Sequence, residues 1–268
     1  MIYDLQKASL MKRISAFLLD FILTVIIFTG CMLLVANITN YDANLTALED
    51  RLTSIQEKHG IAQIEEKFEN KYKFSDYQLM FEDDIAKLPE EVQTVFKACN
   101  EEMNTDNESI KLYEIIMTLS ILIVSISMLI SFIILEFVIP LILGNGQTVG
   151  KKIFSIAVMR VDCVKITPQV LFIRSILGKY TISTMVPLIM LLTLFFGSLP
   201  LMPLLVIAAI LLIQIIMLIV TKTNSLIHDS LASTVVVDLQ SQMIFDTVEA
   251  KNEYVLRLHK ESVDKADY

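Results

Sequence analysis

Tryptophan is absent from this 268-residue chain, so any aromatic belt at a membrane–water boundary has to be built from Tyr and Phe. Cysteine is scarce: Cys31, Cys99 and Cys163 are the only three, and the topology argued below places them in different compartments, so no intrachain disulfide framework is expected. The short patterns that carry hydrolytic or zinc chemistry, H-E-x-x-H, paired C-x-x-C and G-x-S-x-G, are missing as well. The chain therefore reads as a non-enzyme with no metal and no cofactor. Gly144, Gly146 and Gly150 precede Lys151, but they fail the G-x-x-x-x-G-K-[ST] spacing and follow no buried strand; a tight turn explains them better than a phosphate loop. Nucleic acid is not an expected partner.

What the chain does have is apolar length. Hydrophobic residues make up 54% of it and the mean hydropathy is +0.60, values that call for a bilayer as solvent rather than a single soluble core. A helix needs about 20 apolar residues to cross about 30 Å of hydrocarbon. Four stretches qualify: Ile14 to Ala36, Leu112 to Leu143, Ile176 to Phe196 and Leu201 to Val220. The second exceeds one crossing, which predicts tilt or projection. Only Gly197 to Pro200 separate the last two, which predicts an antiparallel hairpin, with Pro187, Pro200 and Pro203 at tolerated kinks or starts. The first stretch reads as an anchor and not as a cleaved signal, because it is too long, contains Asp20 and lacks a clear A-x-A site.

The expected fold is thus an all-α membrane protein of about four transmembrane helices. Its segments are 1–36 (N-terminus and first span), 37–111 (a helical insert), 112–143 (second span), 144–175 (a basic connection), 176–220 (third and fourth spans) and 221–268 (a tail). Charge sets the orientation. Residues 37–110 carry seventeen acidic and seven basic side chains, more than the whole net charge of −8, which suits the outer face. The N-terminus offers Lys7, Lys12 and Arg13 against Asp4, and the connection offers Lys151, Lys152, Arg160, Lys165, Arg174 and Lys179 against Asp162. Lys222 closes the fourth span on the same side. Both ends are expected in the cytoplasm of a multi-pass plasma-membrane protein.

In the insert, Leu45, Leu48, Leu52 and Ile55 recur at helical spacing before a stop at Gly60; Ile61, Ile64 and Phe68 repeat the pattern. Ser75 is read as a cap, and Pro89 as the start of a helix whose apolar face is Val92, Val95, Phe96, Cys99 and Met103. On the inner side, Ser155 to Val161 and Ser233 to Leu239 are β-branched and bounded by polar residues, which predicts a small two-stranded cytoplasmic element. Pro168 to Tyr180 reads as an interfacial helix with Val170, Leu171, Ile173, Ile176 and Leu177 toward lipid and Arg174 and Lys179 toward headgroups.

Ionisable groups in hydrocarbon cost at least about 2.5–3.5 kcal/mol and need partners. Asp20 and Glu136 are the two cases, each about two turns from the inner end of its span. Arg13 and Asp20, seven apart, lie on nearly the same helix face. Two readings stand: Arg13, Asp20, Glu136, Arg174 and Asp229 neutralise one another and lock the bundle, or they form a relay or entrance for a proton, cation or small solute. His228, beside Asp229, is read as structural. Lys151, Lys152 and Lys179 are candidates for lipid headgroups.

The order of four pieces resembles bacterial RDD-family membrane proteins: K-R-I-S-A-F-L-L-D (Lys12 to Asp20), G-Q-T-V-G-K-K (Gly146 to Lys152), F-I-R-S-I-L (Phe172 to Leu177) and H-D-S-L-A-S-T-V-V-V (His228 to Val237). The arginine and two aspartates that name the family look like Arg13, Asp20 and Asp229. Two departures are the long insert and Asp162-Cys163 where an Asp-Gly turn is common. The resemblance implies transport, sodium/proton exchange included. The reading is therefore a transporter of a cation, proton or small solute, with the bilayer as its constant partner and a homodimer favoured by the thinness of four helices. The alternative is an accessory or regulatory protein that binds another membrane protein through its insert.

Overall fold

A computed structural model describes residues 5–78, 80, 82–196, 201–221 and 223–266. It is an all-α membrane protein with one small sheet. Three helices are long and apolar enough to cross a membrane: α1 (Leu10–Ile38), the continuous helix Asn107–Leu143, and the continuous helix Pro168–Phe195. The second begins as α7 (Asn107–Phe132), passes through a π-helical segment (Ile133–Val138) and ends as α8 (Ile139–Leu143). The third begins as α10 (Pro168–Phe172), passes through a π-helical segment (Ile173–Tyr180) and continues as α11 (Thr181–Phe196). The fourth expected span is a helix too, α12 (Leu201–Val220), although its described apolar part, Leu204–Val220, is shorter than the other three. The expected Gly197–Pro200 linker and Lys222 lie outside the described residues. Phe17, Phe21, Leu34, Leu194, Leu212 and Ile219 are all more than half exposed in the protein itself, an apolar surface suited to the lipid of a bilayer.

Two compact units divide the chain, residues 34–123 and residues 1–33 with 124–268. The first holds α2 (Tyr41–Lys58), α3 (Ile61–Lys67), α4 (Phe74–Tyr77), α5 (Glu82–Ile85) and α6 (Glu90–Thr105). Its core is Ile55, Ile61, Phe74, Tyr77, Val92, Phe96, Cys99 and Met103, with Phe74 and Tyr77 edge-on to Phe96 at 5.3 and 5.5 Å. Leu45 stays exposed, so only the second half of the α2 stripe is core. Ser75 is not a cap: it sits inside α4, and the first free amide of that turn, Phe74 N–H, instead donates to Glu65 Oε1 at 2.8 Å.

The second unit carries the sheet. β1 (Ile156–Arg160) pairs antiparallel with β2 (Thr234–Asp238), Val158 opposite Val236. Both faces are covered, which explains the unbroken apolar runs of the two strands. Ile156, Val158 and Val236 pack on Ala8 and Ala16, while Ala157, Met159, Val235 and Val237 pack with Cys163. Cys163 holds φ +65°, the left-handed turn position where glycine carries no steric cost. Between the spans and the sheet lie two short helices, α9 (Val149–Ile153) and α13 (Ile227–Leu231). The tail forms α14 (Val248–Ala266).

Candidate functional site

Within this second unit a cleft of about 660 Å³ opens between α1, the Pro168–Phe195 helix and α12. Its polar end is lined by Arg13, Asp20, Lys151, Arg174, Lys179 and His228. Its apolar wall includes Phe17, Phe21, Val25, Val186 and Leu211, each more than two-fifths exposed, so the cleft is open along its side.

Asp20 is buried, and neutral donors hold both of its oxygens. Thr148 Oγ1 donates to Oδ2 at 2.5 Å and Gly150 N–H to Oδ1 at 2.8 Å. Thr148 is the N-cap of α9, so Asp20 ties α1 to the start of that helix. Glycine is required at 150: a Cβ there would lie 2.9 Å from the Asp20 carboxyl and closer still to the carbonyl oxygen of Ala16.

Asp229 is the hub of a second group. Arg174 donates to its Oδ1 through Nε at 2.9 Å and Nη2 at 2.6 Å, Arg13 Nη2 reaches Oδ2 at 3.4 Å, and Leu226 N–H donates to Oδ2 at 3.2 Å. Arg13 also donates to the carbonyl of Asn224 at 2.5 Å. Burial works to raise the Asp229 pKa, yet the guanidinium groups of Arg174 and Arg13 overcome it and hold the carboxylate ionised, well below its usual range. His228 lies 3.7 Å from Asp229, but burial, aided by Arg174 and Lys179, pushes its pKa down to about 3, so the ring is neutral near pH 7.

The two π-helical segments pack against each other and supply the third group. An i→i+5 turn inserts a residue and re-aims the side chains after it. Glu136, on one segment, is buried and accepts from Lys179 Nζ on the other. Gly178 allows the second segment to approach α13, where a Cβ would meet His228 Cβ at 2.6 Å.

Arg13, Asp20 and Arg174, named from the sequence, line one cleft; Asp229 joins it as the partner of both arginines, and Glu136 as the partner of Lys179. Asp20 and Glu136 do not form a carboxylate pair, since each has its own donors. Arg174 is also not turned to headgroups as the interfacial reading had it: it is 4% exposed and faces Asp229, while Phe172 and Leu177 face outward. Lys151 and Lys179 line the cleft, and Lys152 is exposed outside it. Thr148 and Asn224 are not singled out by residue type, although a Thr before a short helix is an N-cap signal; Gly150 reads from the sequence as part of a turn, not as the contact of Asp20.

The family model described as "RDD family" matches residues 7–233. No curated protein and no solved structure matches the chain.

Proposed function

On the premise that the chain belongs to the RDD family, we propose that it is a multi-pass plasma-membrane protein, with both ends cytoplasmic, that admits a small charged solute to this cleft. The orientation rests on the basic residues of the N-terminus and of the 144–180 connection. Under it α12 is the fourth crossing, and residues 37–111 lie on the outer face.

One observation carries the choice of solute. Every carboxylate of the cluster already has a donor: Asp20 from Thr148 and Gly150, Asp229 from Arg174 and Arg13, Glu136 from Lys179. Lys151 Nζ has neither a hydrogen bond nor an ion pair among the described residues, and four cations face three carboxylates. The unmet demand is for negative charge, so of cation, proton and small solute the geometry favours a solute that carries an anionic group. The test is flux into proteoliposomes under gradients of acetate, inorganic phosphate or sodium. Anion flux above that of protein-free vesicles, reduced severalfold by Lys151→Gln at unchanged protein content, supports the proposal; flux of sodium alone, or of nothing, removes it.

The accessory reading draws on a different observation: residues 34–123 form a compact unit with its own aromatic core. Deleting Ala43 to Met103 and asking whether a copurifying membrane protein is lost tests it, because anion flux should survive that deletion.

A further inference from the structure

The cleft has two chemically different ends, and a dissolved anion would use only one of them. At the polar end Lys151 lies near Arg174, Lys179, Glu136 and Asp20, with no partner of its own for its ammonium group among the described residues. Phe17, between Arg13 and Asp20 on α1, begins an apolar wall that Phe21, Phe28, Val186, Leu211 and Leu218 continue along the same cavity. Much of that wall is exposed in the protein, and in a bilayer it faces acyl chains.

We propose that the occupant is an anionic membrane phospholipid, with its phosphate headgroup among Lys151, Arg174 and Lys179 and the upper part of one acyl chain along the apolar wall. This rests on the reading of the cleft as the functional site and on its unmet demand for negative charge, which it assigns to a resident lipid rather than to the dissolved solute that is carried. Charge complementarity supports it: a phosphate monoanion would compensate the excess positive charge of the cluster, and lysine with arginine is the donor set that phosphate oxygens take. Size supports it as well. A cleft of about 660 Å³ accommodates a headgroup with the start of a chain, and the open side lets the remaining chain stay in the bilayer. A zwitterionic lipid would bring its own cation and leave Lys151 uncompensated. Consistent with an uncompensated site, burial and the neighbouring Arg174 push the Lys151 pKa down to about 8.

The experiment is thermal unfolding of the full chain in a non-ionic detergent, with added phosphatidylglycerol, phosphatidylcholine or inorganic phosphate. Phosphatidylglycerol should raise Tm by about 5 °C near saturation, while phosphatidylcholine and inorganic phosphate leave it unmoved. Lys151→Gln should lose at least half of that shift and Lys152→Gln, outside the cleft, should keep all of it. An equal shift with phosphatidylcholine, or a full shift in Lys151→Gln, overturns the proposal; an equal shift with inorganic phosphate assigns the site to a dissolved anion and overturns it too. Should Lys151→Gln not fold, native mass spectrometry of the wild-type protein from an equimolar mixture of the two lipids asks the same question, and no enrichment of phosphatidylglycerol adducts is the overturning result. The two readings fail separately. A lipid-dependent shift without anion flux leaves a lipid site and removes transport; anion flux in vesicles of phosphatidylcholine alone, with no lipid preference, does the reverse.

Discussion

Arg174 reaches Asp229 through two donors, Nε at 2.9 Å and Nη2 at 2.6 Å, on the same carboxylate oxygen, and both side chains are at most 5% exposed. With Arg13 on the other oxygen, one carboxylate compensates two guanidinium groups. Asp229→Asn keeps the size and removes the charge, so it should destabilise the protein by about 3–5 kcal/mol, the cost of leaving buried charge unpaired. Adding Arg174→Met to that variant should recover part of the loss. Thermal unfolding of the single and double variants reads both; a double variant no more stable than Asp229→Asn means that the pairing does not carry the energy.

Gly150→Ala tests the Asp20 contact from its opposite side. The added methyl group meets the Asp20 carboxyl and the Ala16 backbone, and backbone gives way little, so a cost of about 1–3 kcal/mol is expected. The loss should be similar to that of Asp20→Ala, which leaves the Gly150 N–H and the Thr148 hydroxyl without their acceptor. A Gly150→Ala protein that unfolds like the wild type would show that α1 and α9 are not docked in this way.

These two sites differ in how far the sequence disclosed them. Asp20 and Glu136 stand out because a lone carboxylate in an apolar run has few structural excuses, and β1 and β2 stand out because short apolar runs bounded by polar residues, Val-rich in β2, have few helical ones. The partners were hidden. A π-helical segment has no composition of its own: F-I-R-S-I-L is enough to turn Leu177 outward, but it leaves Arg174 between the headgroups and the inner ionic cluster, and the structure turns it inward. Lys179 lies on the same segment and Glu136 on the other, and their pairing depends on two re-aimed helices meeting. Thr148 and Gly150 were visible as a turn, but a turn does not say which distant carboxylate it will hold. In the insert, the amphipathic face of α6 was legible to within one residue, whereas Leu45 carries the helical period onto a part of α2 that stays exposed.

Acid should weaken the sheet-bearing unit through His228. Its pKa in the folded protein is about 3, against an ordinary value of 6.5, chiefly because burial disfavours the imidazolium. The folded state therefore binds fewer protons than the unfolded one below about pH 6.5. Stability is complete above that value and falls as pH drops toward about 3, by about 1.4 kcal/mol for each pH unit. Asp229, Arg174, Lys179 and Glu136 surround the ring, and the two carboxylates do not offset its burial. His228→Asn should flatten the dependence of Tm on pH in this window; a variant with the wild-type slope would place the acid sensitivity elsewhere.

In the insert, Asp106 accepts from Arg51 Nε at 3.0 Å and Nη2 at 2.7 Å, and from Ser109 N–H and Oγ at 2.9 and 2.8 Å. The Arg51 hydrogen bond first, and then those of Ser109, hold its carboxyl well below the usual range. A lowered carboxylate pKa contributes stability that is present above the ordinary carboxylate pKa and is lost as pH falls. Asp106→Asn should therefore speed limited proteolysis between residues 41 and 105 at neutral pH and narrow the difference from wild type in acid. Equal cleavage rates at neutral pH would mean that Arg51 and Asp106 do not fasten α2 to the start of α7.

Glu136 and Lys179 separate a structural role from a binding role by the sign of the effect. Lys179→Met leaves Glu136, 3% exposed, without its cation, and should cost about 3–5 kcal/mol of stability. It also removes a headgroup contact, so stability and the response to phosphatidylglycerol should fall together. Glu136→Gln is the informative partner. It releases Lys179 from its carboxylate and raises the positive excess of the cluster by one charge, so the protein should lose stability in detergent alone yet respond more strongly to phosphatidylglycerol than the wild type. A purely structural pair predicts loss on both measures in both variants, because nothing then gains when Lys179 is set free. Lipid titrations of the two proteins followed by Tm decide it, and a Glu136→Gln response no larger than wild type assigns the pair to bundle geometry alone.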